Sequence, residues 1–214
     1  MNEEIARLRT EFTKNGLNEN EVESSPIKQF EVWFDHTITS GIHEPNAMAL
    51  STSDPSGRPS CRIVLLKGFD DQGFTFYTNY NSRKARNLDA CPFASLTFFW
   101  IDLERQVRIE GRVEKVSAEE SDAYFAIRPR GSQIGAWVSE QSEIAESQED
   151  MLERITIIEK LFEGREVTRP PHWGGFRVIP DYIEFWQGRP NRLHDRILYT
   201  LNEDHTWAIS RLYP

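Results

Sequence analysis

Apolar residues recur along this chain with two periods, and the switch between them divides it. Over the first forty residues the spacing is helical. Ile5, Leu8 and Phe12 share one face until Asn15-Gly16 stops it, and Phe30, Phe34 and Ile38 mark a second helix behind Pro26. From Ala47 the period falls to two. A strand at 47–53 turns through Asp54-Pro55-Ser56-Gly57 into one at 60–69, and Asp70-Asp71-Gln72-Gly73 leads into 74–80, both links being hairpin turns. Strands at 94–101 and 106–116 follow. In the second, Val107, Ile109, Gly111 and Val113 face one way while Gln106, Arg108, Glu110 and Arg112 face the other.

Helices interrupt this run. Ser82 reads as the N-cap of a helix to Ala90, and Ser117-Ala118-Glu119-Glu120 is a capping box opening another to about Ile127. Residues 148–162 are amphipathic, with Met151, Ile155, Ile158 and Phe162 on one stripe. A stiff connector at 168–175 precedes strands near 176–179 and 182–186, then a closing hairpin of 197–201 and 206–212. The expectation is a mainly β fold with added helices (α+β), with about six to eight short antiparallel strands forming a barrel. Residues 1–44 read as a helical segment, 45–170 as the barrel, and 171–214 as closing strands of the same domain.

Composition narrows the function classes. A formal net charge of -9 argues against a general nucleic-acid or membrane-surface binder, so anion binding must come from local cation clusters. The N-terminus has no apolar run of signal-peptide type and no stretch is long enough to span a bilayer, which predicts a cytoplasmic protein. Cys61 and Cys91 stand apart among apolar neighbours and read as buried free thiols. Aromatics at 12% suit a β core, a subunit interface or a flat-ligand pocket equally.

The chemistry concentrates in a few places. Residues 186–196 hold Trp186, Arg189, Arg192, His194 and Arg196 with only Asp195 as an acid, a density that suits a planar anionic ligand. Arg83 and Lys84 occupy the first turn of a helix, where the macrodipole is already positive; a phosphate at that terminus makes their placement favourable. Arg62 and Lys67 end an apolar strand, which alone is ordinary edge protection. Tyr124, Arg128 and Ser132 recur every four residues, so a shared face would bring two hydroxyls and a guanidinium onto one anion while Arg130 points elsewhere. The run Phe98-Phe99-Trp100 reads as core. No Gly-rich dinucleotide or P-loop motif and no nucleophile elbow is present, and the five histidines lack ligand-like spacing, so no metal is expected.

Taken in order, the segments PNAMALST, RIVLLKGF, GFTFYTNYNSRKA, LERQVRIEGRVEKVS, YFAIRPRGSQIGAWVSEQS, WGGFRV, IEFWQGRPNRLHDR and the closing W-x-I-x-RL-x-P resemble the pyridoxine/pyridoxamine 5'-phosphate oxidase family from about Pro45 to the C-terminus. The resemblance implies a split β-barrel homodimer with FMN at the subunit interface. It implies oxidation of pyridoxamine or pyridoxine 5'-phosphate to pyridoxal 5'-phosphate, with oxygen as acceptor and hydrogen peroxide as product. By position it assigns FMN contacts to Arg62, Ile63, Val64, Leu65, Leu66, Lys67, Tyr77, Thr78, Arg83, Lys84, Gln106, Gln141, Ser142, Trp186 and Arg196. It assigns substrate contacts to Lys67, Tyr124, Arg128, Ser132, Arg192, Leu193 and His194, with Arg192 and His194 nearest the chemistry. Two segments depart from the pattern: Glu44-Pro45 replaces an Asp-Pro, and Arg9-Thr10-Glu11-Phe12 follows an Arg-Arg-Glu-Tyr only loosely. Two alternatives stay open, a related FMN oxidase of another aromatic substrate such as a phenazine precursor, and a non-catalytic flavin- or haem-binding module.

Overall fold

The computed structural model describes residues 11–13 and 16–214. Most of the expected N-terminal helix, with Ile5, Leu8 and Asn15, lies outside them, and Phe12 sits in irregular backbone. In chain order the elements are α1 (Pro26–Thr39), β1 (Ala47–Ser53), β2 (Pro59–Leu65), β3 (Gly68–Asp70), β4 (Gly73–Asn79), α2 (Arg83–Ala90), β5 (Phe93–Trp100), β6 (Arg105–Lys115), α3 (Ala118–Ala126), α4 (Arg130–Val138), α5 (Gln148–Leu161), β7 (Trp173–Gln187), β8 (Asp195–Leu201) and β9 (Trp207–Arg211). The strands join in the order β2-β1-β5-β6-β7-β4-β3, with β8 added on β7 and β9 on β8. The expected β-rich fold with added helices is present.

The chain forms two compact units. The first gathers the described residues up to Ala49 with Leu96–Glu110 and Pro180–Pro214. Its core is aromatic. Helix α1 starts where Ser25 Oγ accepts from Lys28 N–H and Pro26 pre-sets the first turn. It buries Ile27, Phe30, Trp33 and Thr37. Phe30 packs on Phe98 at 5.1 Å, Trp33 meets Phe185 edge-on at 5.2 Å, and Phe185 meets Tyr199 at 5.6 Å. The buried stripe follows 27-30-33-37, so Ile38 turns outward at 51% exposure, contrary to the sequence reading. Phe98 and Trp100 are core as expected, but Phe99 alternates outward.

The second unit comprises Leu50–Ser95 and Gly111–Ile179. Here β4 is buried almost throughout and pairs antiparallel with β7, Tyr77 opposite Gly175 and Asn79 opposite Trp173. Phe125, Ile134, Phe162, Val167 and Trp173 form its helix-side core, against which Tyr77, Tyr124, Ile155 and Ile158 pack. Met151, placed on the same stripe by sequence, is 45% exposed because it lies in the first turn of α5, beyond that core.

Strand boundaries moved in two places. The expected strand 60–69 breaks at Leu66-Lys67, where Lys67 N–H donates to the Thr75 carbonyl at 2.9 Å and the chain turns into β3. The expected pair 176–179 and 182–186 is one strand, β7. Pro180 sits between the stretch paired with β4 and the stretch paired with β8, where its missing N–H costs neither of those ladders a bond. Cys61 is exposed and Cys91 half-buried, not buried as read from sequence; Cys61 falls on the outward set of β2 and Cys91 caps α2.

Gly73 opens β4 at φ 135, and a Cβ there would run into the carbonyl oxygen of Val178. Gly73→Ala is expected to cost about 2 to 3 kcal/mol, measured by denaturant unfolding, since it strains the backbone and the β4–β7 ladder together.

Candidate active site

In the second unit, β2, β4, α2, the α3–α4 corner and the start of β7 enclose a cavity of about 470 Å³. Of the residues singled out from sequence, Arg62, Ile63, Val64, Leu65, Lys67, Tyr77, Thr78, Lys84, Tyr124, Arg128, Ser132 and Gln141 line it. Pro129 and Trp173 also line it and escaped the sequence reading. Leu66 turns into the core at 4% exposure.

One end of the cavity is cationic. Arg62 donates from Nη1 to the Leu50 carbonyl at 3.1 Å and Thr52 Oγ1 at 2.9 Å. Lys84 Nζ donates to Gln141 Oε1 at 2.7 Å and Thr78 Oγ1 at 3.0 Å. Neither cation has an ion pair among the described residues. Burial, reinforced by the Arg62 charge, pushes the Lys84 ammonium down to about 8, and burial lowers Arg62 as well. Lys84 belongs to the first turn of α2, whose Ala85 N–H is capped by Ser82 Oγ and whose Arg83 N–H donates to Ser142 Oγ at 3.1 Å. Ser142 reaches that position with φ 78. Arg83 itself is exposed.

The other end is a slab of rings. Tyr77 stacks on Tyr124 at 4.0 Å and 20°, and Trp173 lies within 12° of Tyr77 and 8° of Tyr124. Gly175 makes room for it: a Cβ there would stand 2.8 Å from Tyr77 Cε1 and 2.6 Å from Val116 Cγ2. Burial and then Glu120 push the Tyr77 phenol up to about 12, so it stays protonated. Arg128 lies with Cζ 4.4 Å over the Trp173 ring, and its Nη1 is closed off from solvent with no hydrogen-bond partner. Burial lowers the Arg128 pKa. Tyr124, Arg128 and Ser132 therefore face one cavity, but through a corner and not a continuous helix: α3 ends at Ala126 and α4 begins behind Pro129. Arg130 points away, donating to the carbonyls of Phe162 and Arg165 at 2.7 and 2.9 Å.

Gln106, Trp186, Arg192, Leu193, His194 and Arg196 belong to the first unit. There Trp186 and His194 lie 4.7 Å apart, with Phe12 edge-on to both. His194 Nδ1 accepts from Arg189 N–H at 3.1 Å, which leaves the ring proton on Nε2. Burial, then Arg192, hold its pKa below the usual imidazole range. Asn191 and Arg192 take left-handed backbone, φ 57 and 62, and Arg192 and Leu193 are exposed. The sequence offered only Asp195 as an acid here, and the fold adds another. Buried Glu184 holds Arg196 at 2.8 and 3.0 Å and Arg108 at 3.3 Å, while Asp195 pairs with Arg211 at 2.7 Å and Arg189 at 3.5 Å. Glu184 escaped notice because it lies inside an apolar strand run.

The matching family model described as "Pyridoxamine 5'-phosphate oxidase" covers residues 34–163, and "Pyridoxine 5'-phosphate oxidase C-terminal dimerisation region" covers 173–214. A pyridoxine/pyridoxamine 5'-phosphate oxidase of Rubrobacter xylanophilus is 57% identical over 99% of this chain and 97% of its own length. This chain belongs to the pyridoxine/pyridoxamine 5'-phosphate oxidase family. It is thereby an oxidoreductase of the split-barrel class. Among solved structures, PhzG of Burkholderia lata in complex with tetrahydrophenazine-1-carboxylic acid is 27% identical, with TM-score 0.89, covering 96% of this chain and all of that one. An FMN-binding protein of Nostoc punctiforme related to pyridoxamine 5'-phosphate oxidase shares the fold at TM-score 0.71 and 16% identity, covering 89% of this chain and 98% of its own. Among the described residues no helix is long and apolar enough to cross a membrane, and no cluster of His, Cys, Asp and Glu could hold a metal.

The depressed Lys84 fixes a pH dependence. Its folded pKa, about 8, lies below its unfolded value, so from pH 8 to about 10.5 the unfolded chain binds more protons and ligand-free stability rises with pH. A bound phosphate raises the lysine's pKa, so binding above pH 8 takes up a proton and weakens as pH climbs. Thermal unfolding across pH 7.5–10 should show the rise in the parent protein and not in Lys84→Met. Phosphate titration calorimetry in two buffers of different ionisation enthalpy reads the proton directly.

Proposed function

We propose that this family member is an FMN-dependent pyridoxal 5'-phosphate synthase, a cytoplasmic homodimer. It oxidises pyridoxamine 5'-phosphate, with water and oxygen, to pyridoxal 5'-phosphate, ammonia and hydrogen peroxide. The alcohol, pyridoxine 5'-phosphate, gives the same aldehyde and peroxide. The observation that carries this reading is Arg128: a half-buried guanidinium whose Nη1 has no hydrogen-bond partner among the described residues, lining a cavity whose walls are flat rings and hydroxyls. A phosphorylated aromatic ring satisfies all of these at once.

The donor set also fits FMN. Arg62 and Lys84 are half-buried near one another with no carboxylate paired to either among the described residues, and the cost falls when a phosphate arrives. Arg83, Lys84, Gln141 and Ser142 at the start of α2 would hold that phosphate, and the backbone of Arg62–Lys67 with Tyr77 and Thr78 would line the ring. Gln106, Trp186 and Arg196 complete the cofactor set, and the match of residues 173–214 to a C-terminal dimerisation region supports the pairing of two chains. When bound, FMN supplies the two-electron acceptor and passes the electrons to oxygen. Tyr124, Arg128 and Ser132 grip the substrate phosphate, and Lys67 borders both ligands. Arg192 covers the substrate ring, while His194, neutral, offers Nε2–H to a ring substituent.

The likeness to PhzG keeps a phenazine-type substrate in view. That substrate would share the flavin residues but, having no phosphate, would not need the Tyr124, Arg128, Ser132 grip.

The purified protein is expected to be yellow with extractable FMN and to consume oxygen with pyridoxamine 5'-phosphate. Arg128→Ala should raise KM by roughly ten- to a hundredfold, the loss of a charged hydrogen bond of about 1.5 to 3 kcal/mol, with flavin content unchanged. An unaltered KM, or protein that stays colourless after FMN is added, overturns the reading.

A further inference from the structure

Trp173 has no place among the residues assigned to cofactor or substrate, yet it meets two members of the anion grip, Arg128 and Tyr124. Its ring carries the Arg128 guanidinium at 4.4 Å, a shorter approach than the 5.4 Å from that guanidinium to Phe125. It lies nearly parallel to Tyr124, 6.2 Å between centroids, and to Tyr77 at 5.5 Å. The indole is fixed without help from a ligand. The Trp173 backbone is anchored on both sides, the amide N–H donating to the Pro170 carbonyl at 3.1 Å and the carbonyl accepting from Arg169 Nη1 at 2.7 Å. Arg169 is in turn paired with Asp122 at 2.6 Å, and Phe125 meets the indole edge-on at 5.2 Å. Only 7% of Trp173 is exposed.

A ligand-binding arginine has to be held still, or ordering its long side chain weakens every contact it makes. In the first unit the holding group for Arg196 is a carboxylate, Glu184, whereas Arg105 lies over the Trp33 ring at 4.3 Å. A carboxylate beside Arg128 would also cancel the charge that draws the anion. A ring face holds a planar guanidinium and leaves its charge and its N–H edge available.

We propose that Trp173 is a positioning residue for phosphate recognition: it keeps the Arg128 guanidinium flat and unneutralised at the cavity wall before any ligand enters. The proposal rests on the reading of this cavity as a phosphate-ester site. It acts through Arg128 and touches no reacting atom.

The test is a double-mutant cycle on the full-length protein as purified, reading KM and kcat for pyridoxamine 5'-phosphate and, by calorimetry, the affinity for inorganic phosphate. Trp173→Leu should raise KM and weaken phosphate binding by about three- to thirtyfold with kcat within twofold. In an Arg128→Ala background the same change should do nothing further. Trp173→Phe, which keeps a ring face, should lose about two- to threefold, and it serves for the cycle if Trp173→Leu does not fold. An equal loss with and without Arg128 assigns Trp173 to general packing and overturns the proposal, as does an unchanged KM and phosphate affinity in Trp173→Leu. Phosphate affinity is read without turnover. Protein that fails to oxidise the substrate yet shows the coupling retains the positioning role while losing the proposed activity.

Discussion

Cations withdrawn from water without acids to neutralise them are the constraint around which this protein is arranged. Arg62, Lys84 and Arg128 all have their charged forms disfavoured by burial, and none is offset by a carboxylate. Desolvating a charge is among the most expensive acts in folding, so each is supported by neutral means. Arg62 leans on a carbonyl and hydroxyls, Lys84 on a hydroxyl and an amide oxygen, Arg128 on an indole. The hydroxyls, the amide and the rings that look decorative in isolation are what make those charges tolerable.

The first unit treats its cations in the opposite way. Arg196 is clasped by buried Glu184, and a second guanidinium, Arg108, shares that carboxylate. Arg211 and Arg189 divide Asp195. Ion pairs of this kind hold strands and turns in place, and the proposed cofactor contact of Arg196 would come from a guanidinium already paired with Glu184. The contrast separates guanidinium groups that build the scaffold from those left with charge to offer. In the 186–196 segment Arg192, exposed on a left-handed turn, is the arginine with no ion pair among the described residues.

Much of this was legible in the residues. Most strand and helix positions followed from period-two and period-3.6 spacing, α4 excepted, and the caps read at Ser82 and Ser117 each accept an N–H of the first turn. The Tyr124, Arg128, Ser132 convergence was readable from four-residue spacing, although a proline corner and not one helix achieves it. What local pattern could not supply was anything depending on distant partners. Glu184 looked like one polar residue in an apolar strand until the fold set two arginines beside it. Trp173 looked like part of a connector until β7 pairing stacked it on Tyr77. Pro180 looked like a break because the change of ladder partner at that point is a tertiary event.

The glycines at the start of β7 bind this ring wall to its sheet in another respect. A Cβ at 174 would collide with the Tyr80 hydroxyl and one at 175 with the Tyr77 ring. Enlargement at either glycine therefore demands room from the tyrosine across from it, and at 175 from Val116 as well, so the ring wall and the bare backbone behind it are one packing unit.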